Sequence, residues 1–298
     1  MTKPHKKRAA WIIIPAALLA FLILSFAVTG AVYARVFRRF DKSAPYYPAR
    51  EEFAFKSGKN ELKGFLYGRG SDELIVIVSG FRAIQEDCLP LVTALTDEGF
   101  SVFTFDPTGV GRSGGRDQKG FPQIVQDLDA CLDLIEENGR FGCSRITLLG
   151  HSRGGFAACM EASRADRVIT VGGLASTMDG VLQGAYTKVG KAVYLNYPLL
   201  YLWQTILFGK DGADASAVDA LLACDTEVLV IQGGTDKSVP ADRFSVYSKA
   251  PELSSRSNIS FAVVSGGHVD VLYSDGRANP ATLNLILEFL QEDEELAA

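Results

Sequence analysis

The pattern of apolar and polar positions divides the chain into two unlike parts. From Ala9 to Ala34 no residue is charged (AAWIIIPAALLAFLILSFAVTGAVYA), an unbroken run of 26 residues. As a helix rising about 1.5 Å per residue it reaches roughly 39 Å, beyond the ~30 Å hydrocarbon core of a bilayer. Trp11 and Tyr33 lie near its two ends, where aromatic rings favour the membrane interface, and Pro15 falls close enough to the start to be tolerated. The competing reading is a cleaved signal peptide. Such peptides have an apolar region of about 7–15 residues followed by small residues at the cut; this run is longer, and Val32-Tyr33-Ala34 is a weak site. The pattern therefore predicts a basic head (1–8), an uncleaved transmembrane anchor (9–34) and a basic, Pro-containing linker (35–48).

Beyond the linker, strand-like and helix-like segments alternate. Phe53–Lys56 and Leu62–Tyr67 read as two antiparallel strands joined at Ser57-Gly58-Lys59-Asn60. Leu74–Val78 (LIVIV) is the short β-branched run of a strand buried on both faces. A helix from Leu89 ends by Gly99, and Val102–Phe105 is the next strand. Pro122 opens a helix with Ile124, Leu128, Cys131, Leu132 and Ile135 at helical spacing and Gly139 just past its end. The strand Ile146–Leu149, the apolar helix Phe156–Met160 and the strand Val168–Val171 follow. After a long interruption to about Ala223 come the strand Val228–Ile231, a helix near Phe244–Lys249, the strand Phe261–Val264 and a helix over Thr282–Gln291. Two antiparallel strands followed by repeated β-α units predict an α/β fold: a doubly wound, mostly parallel sheet of eight strands.

Charge separates the same two parts. Residues 1–50 carry nine Lys/Arg against Asp41 alone, a net +8, which leaves −13 on the remainder of a chain of net charge −5. A body this acidic argues against nucleic acid as a partner and leaves the basic end to anionic lipid headgroups. The flanking bases tie, with Lys3, Lys6, Lys7 and Arg8 before the run and Arg35, Arg38, Arg39 and Lys42 after it. A short basic head before a first apolar segment is the signal-anchor layout, which places the body outside the cell membrane in a single-pass protein. The five cysteines (Cys88, Cys131, Cys143, Cys159, Cys224) cannot all pair with one another, and no Cys/His spacing suggests a metal.

In doubly wound sheets chemistry sits beyond the carboxyl ends of the strands. After Ile146–Leu149 comes Gly150-His151-Ser152-Arg153-Gly154-Gly155 and then an apolar helix. This G-x-S-x-G between strand and helix projects a serine hydroxyl from a sharp turn, with small residues where strand and helix approach. A serine nucleophile needs a base. Of the three histidines, His5 precedes the apolar run and His151 adjoins Ser152, so its side chain points away; His268, just after the last strand, remains. Asp236 follows Val228–Ile231 and is the candidate acid that orients the imidazole; Asp270 and Asp275 lie on the histidine's own loop. The oxyanion donors expected are the backbone N–H of Arg153, directly after the nucleophile, and of Phe81 in Ser79-Gly80-Phe81-Arg82 after Leu74–Val78. Arg82 itself reads as a solvated surface residue, with a ligand for a substrate carboxylate as the alternative.

These residues resemble the α/β-hydrolase superfamily over about 46–298, most closely bacterial serine hydrolases of the esterase/serine-aminopeptidase-like type. The family's GHSxGG elbow, its acid turn G-x-x-D and its GGH turn are present, as is D-x-x-G-x-G-x-S in Asp106–Ser113, a structural loop in the family. The departure is Ser79-Gly80 where the family usually has His-Gly. The family inserts a cap at the position of 176–223, a segment rich in aromatics here; Tyr194, Tyr197, Tyr201 and Trp203 are candidates for a substrate pocket, or for the cap's own core. The resemblance implies a carboxylic-ester, thioester or amide hydrolase that uses Ser152, His268 and Asp236, with no cofactor and no metal. Esterase is favoured over peptidase because no acidic cluster for a substrate amine is identifiable. The alternatives are a serine peptidase, an acyltransferase using the same triad, or a catalytically silent binding protein of this fold. The expected partners are a hydrophobic acyl substrate and the bilayer.

Overall fold

A computed structural model describes residues 5–43 and 49–296, with the side chains of 13–43 and 49–291. The side chains of the basic head, Trp11 and the linker residues 44–48 lie outside the described residues. Eight strands form one sheet in the order β1-β2-β4-β3-β5-β6-β7-β8. They are β1 (Glu51–Ser57), β2 (Asn60–Tyr67), β3 (Glu73–Val78), β4 (Ser101–Asp106), β5 (Arg145–His151), β6 (Arg167–Val171), β7 (Glu227–Gly233) and β8 (Ile259–Val264). β2 pairs antiparallel with β1 and β4, and every other neighbouring pair is parallel. The doubly wound, mostly parallel sheet expected from the alternation is thus present.

Strand alternation splits the core in two. Leu74, Val76 and Val78 of β3 face one layer, and Ile75 and Ile77 the other. The first layer holds α3 (Phe121–Glu137) and α4 (Arg153–Met160); the second holds α2 (Leu89–Asp97) and α9 (Pro280–Leu296). α3 buries Ile124, Leu128, Cys131, Leu132 and Ile135, the stripe visible in the sequence. The helix expected near 244–249 is shorter and later, a turn at Tyr247–Lys249 running into α8 (Ala250–Leu253).

The insertion is smaller than expected. It consists of α5 (Thr177–Val189), a tight helical stretch Gly190–Asn196 and α6 (Tyr197–Asp214), which breaks at Gly209. Ser176 bridges Ser216, Thr177 N–H donates to Ala215 O and Ala217 N–H to Ala175 O. This clasp closes the cap's base at about residue 215. The next helix, α7 (Ala217–Leu222), packs on α4 and belongs to the body.

The N-terminal helix α1 (His5–Val36) is the one helix among the described residues long and apolar enough to cross a membrane, with a mean hydropathy of 2.3 over Ile13–Val36. Its side chains are exposed from Ile13 to Leu24, but Thr29, Gly30, Tyr33 and Phe37 are buried. At turn spacing these four line one face, and that face packs on α6. The Phe26 and Trp203 rings are 5.2 Å apart, Asn196 Nδ2 donates to Thr29 Oγ1 (3.1 Å), and Tyr33 O–H donates to Gln204 Oε1 (3.3 Å). A Cβ at Gly30 would lie 2.6 Å from the Trp203 ring, so only glycine lets the helices approach this closely.

The expected free linker from residue 35 is instead docked as far as Phe40. Gln118 N–H donates to Phe37 O, Phe40 N–H to Gly109 O and Gly111 N–H to Phe40 O. Arg39 donates to three carbonyls, of Ser113, Gly115 and Gly111, each at 2.9 Å. These acceptors belong to the Asp106–Lys119 loop, whose turns leave carbonyls without strand partners. The chain after the apolar run satisfies them.

Candidate active site

Ser152 sits between β5 and α4 at φ 57°, ψ −116°, a strained conformation for a residue with a Cβ. The surroundings hold it there. Ser152 N–H donates to Val171 O (2.9 Å), and the flanking glycines let β5 and α4 meet. A Cβ at Gly154 would lie 2.0 Å from Val78 O, and one at Gly150 2.2 Å from Gly154 O. Gly154→Ala must push α4 off β3, an overpacking cost of about 3 kcal/mol. The expected result is a fall in Tm of roughly 6–12 °C by calorimetry; an unchanged Tm would mean that α4 shifts freely.

Asp236 follows β7 in a turn closed by its own N–H on Gly233 O. Its Oδ1 accepts from Ser238 N–H and Val239 N–H, both at 2.8 Å, which fixes the plane of the carboxylate. Its Oδ2 lies 2.6 Å from His268 Nδ1, and His268 Nε2 lies 2.8 Å from Ser152 Oγ. The network assigns Nδ1–H as donor to Asp236 and Nε2 as acceptor from the Ser152 hydroxyl. Three residues far apart in sequence therefore form one hydrogen-bonded chain at the carboxyl ends of β5, β7 and β8. Ser152 is 7% exposed, so the hydroxyl is largely shielded from water.

His151 turns away from Ser152, as its place in the sequence implies, and holds the histidine loop. Its Nε2–H donates to His268 O (2.7 Å), and the two rings are 4.7 Å apart. Burial, aided by the neighbouring His268, pulls the His151 pKa down to about 4, so it is neutral at pH 7. A folded pKa below the unfolded 6.5 means the unfolded chain binds the extra proton first. Its contribution is intact above about pH 6.5 and is lost as pH falls toward 4, by up to about 3 kcal/mol. Denaturant titrations should show His151→Gln with a shallower fall in stability over that window than the parent. Identical slopes would remove His151 as the source.

The loop after β3 lies directly against the nucleophile. A Cβ at Gly80 would be 3.2 Å from His151 Nδ1 and 3.5 Å from Ser152 Cβ. Ser79, at the position of the family's usual histidine, closes this loop by donating to Ala83 O (3.2 Å). Phe81 and Arg153 converge here. Arg153 is the first residue of α4, where a backbone N–H has no acceptor within the helix. Its guanidinium is buried over the Phe81 ring, 5.5 Å from the centroid, and its Nη1 donates to Gln118 Oε1 (3.3 Å). Burial lowers its pKa to about 10, which leaves it cationic. Arg82 is not the solvated residue expected: its Nη2 donates to Val36 O (2.9 Å) at the carboxyl end of α1, where free carbonyls attract a cation.

Of the two readings of the four cap aromatics, substrate pocket or the cap's own core, the contacts fit the second. Trp203 packs on Phe26, Gly30 and Tyr33 of α1. Tyr201 O–H donates to Asp214 and its ring stacks with Tyr197, while Tyr194 meets Tyr186. These contacts tie the cap together and to α1, not to Ser152. The side chains that do approach the loop after β3 were not anticipated. Phe37 packs on Phe81 with centroids 5.3 Å apart, and Tyr33 stacks on Phe37 at 4.5 Å. Both lie in or next to the apolar run, where nothing local separates a protein-facing side chain from a lipid-facing one.

An eight-stranded sheet in this order, with a serine turn after β5, an acid after β7 and a histidine after β8, is the α/β-hydrolase fold. Within it, residues 70–207 match the family described as serine aminopeptidase, S33. Among solved structures, an esterase from Pyrococcus furiosus is similar at 17% identity and a TM-score of 0.69, covering 86% of this chain and 98% of that one. Est1E from Butyrivibrio proteoclasticus, solved with ferulic acid, gives 18% identity and a TM-score of 0.59 over 83% and 100%. A bromoperoxidase from Bacillus anthracis gives 17% and 0.55 over 81% and 100%. No curated protein matched the sequence significantly. At these identities the likeness speaks for the fold, and the differing activities named show that the fold alone does not select the reaction.

Proposed function

We propose that the protein is a membrane-anchored serine hydrolase that cleaves carboxylic esters through an acyl-enzyme. The carrying observation is the chain Asp236–His268–Ser152 at 2.6 and 2.8 Å. His268 Nε2 takes the Ser152 proton as Oγ attacks the carbonyl carbon, and Asp236 stabilises the imidazolium that forms. The oxyanion is held by the N–H groups of Phe81 and Arg153. His268 returns the proton to the leaving alkoxide, and water then releases the acid by the same path. The esterases among the similar folds favour an ester over an amide.

Burial supports retention of the anchor. Cleavage after Ala34 would remove Tyr33, which is buried between Phe37 and Gln204. A fluorophosphonate probe with a panel of p-nitrophenyl esters and amides tests the reading. Labelling at Ser152 and ester turnover are expected, and a chain inert to both overturns it.

A further inference from the structure

The anchor and the cap act as one unit, and the arithmetic of the helix sets its depth. Only 17 residues of the uncharged run, Ala9–Ser25, precede the cap contact at Phe26. At about 1.5 Å each they cover roughly 25 Å, short of the ~30 Å a spanning helix must cross. The helix therefore has to carry Phe26 and the residues after it into the hydrocarbon region, and Trp203 and Asn196, packed on Phe26–Tyr33, travel with it.

The cap's outer surface suits that depth. Leu195 is 88% exposed and Tyr194 48%; Leu202, Ile206 and Leu207 are also open. Pro198, Leu202 and Ile206 recur every four residues on the exposed face of α6. Exposed apolar side chains of α1, among them Val28 and Val32, flank the buried stripe that holds the cap, so the two surfaces adjoin. Lys188 and Lys191, both exposed, precede the cap's apolar tip, where anionic headgroups would meet them. An apolar face this open on a soluble surface calls for a partner.

A seam of rings runs from this surface to the nucleophile. Phe26 meets Trp203 at 5.2 Å, Trp203 meets Tyr33 at 6.4 Å, Tyr33 meets Phe37 at 4.5 Å and Phe37 meets Phe81 at 5.3 Å. Phe81 is the neighbour of Gly80, which lies against Ser152. We infer that the cap sits in the bilayer beside its own anchor, so that a membrane-resident ester is delivered to Ser152 from the lipid. This rests on the anchored-hydrolase reading, adding lipid as the source of substrate.

The test uses the full-length chain in phosphatidylcholine–phosphatidylglycerol vesicles. Nitroxides are placed singly at Leu195→Cys and Ile206→Cys on the cap, Leu19→Cys on the anchor and Asp97→Cys at the opposite end of the sheet, in a Cys224→Ser background. Relaxation by oxygen and by a water-soluble nickel chelate reports depth. Cap labels that match Leu19→Cys in oxygen access, with Asp97→Cys open to nickel, are the expected result. Cap labels open to nickel, or shielded from both reagents as in a protein–protein contact, overturn the inference while a deep Leu19 label leaves the anchor standing. A Leu19 label open to nickel removes the anchor and the inference together. In a second arm, Leu195→Asp with Ile206→Asp should keep turnover of a short soluble ester within about twofold and lose about tenfold or more on a long-chain ester held in vesicles. Equal loss on both substrates, or on neither, counts against lipid access.

Discussion

Ser152→Ala is expected to abolish fluorophosphonate labelling and to lower ester turnover by at least about 10⁴-fold. The hydroxyl lies 2.8 Å from His268 Nε2, and Ser152 is the one serine of the turn Gly150–Gly155. His268→Ala should be comparably inactive, because Ser152 then has no acceptor for its proton. Asp236→Asn should lose roughly 10²–10⁴-fold: the amide can present its N–H₂ to Nδ1 and force the wrong tautomer. Removing the Ser152 hydroxyl leaves the backbone bond to Val171 O in place, so circular dichroism and Tm should stay near the parent's. Labelling of Ser152→Ala at the parent's level would place the nucleophile elsewhere and end the proposal.

Deleting residues 1–40 should destroy the enzyme, whereas deleting 1–24 should not. The longer deletion removes Tyr33 and Phe37, whose burial contributes about 1.5–3 kcal/mol each. It also removes Arg39 from three loop carbonyls, bonds worth less than fully buried ones because the side chain is one-third exposed. Against a domain stability of about 5–15 kcal/mol, the combined loss is a large fraction. It strips support from the loop after β3 as well, since Phe81 loses Phe37 and Arg82 loses Val36 O. The shorter deletion spares every one of these contacts. Both chains, purified in the same detergent, would be compared by thermal unfolding and short-ester turnover. Parent-like values for the 1–40 deletion would show that the docked segment is dispensable.

The legible part of this protein lies where one short segment carries its own signal. β3 is apolar from Leu74 to Val78 because both its faces are buried, and α3 repeats at helical spacing because one face is. The nucleophile turn is readable because only small residues fit where β5 meets α4, as the 2.0 Å approach at Gly154 shows. His268 and Asp236 could be singled out because each follows a recognisable strand and the chain has few histidines. The sheet then brings them together.

What the tertiary structure alone decided are the choices between equivalent burials. Tyr33 and Val32 are adjacent and both apolar enough for lipid, yet Tyr33 is buried against protein and Val32 is exposed. Transfer out of water is favourable for either side chain in either environment, so composition carries no preference. The same indifference left Trp203 open between a pocket and the cap's own core, and it is found on α1; Arg82, expected in water, is drawn instead to a free carbonyl at a helix end. Each is settled by which surface lies across from it, and that depends on contacts between residues about 40 to 180 positions apart, to which a local pattern is blind.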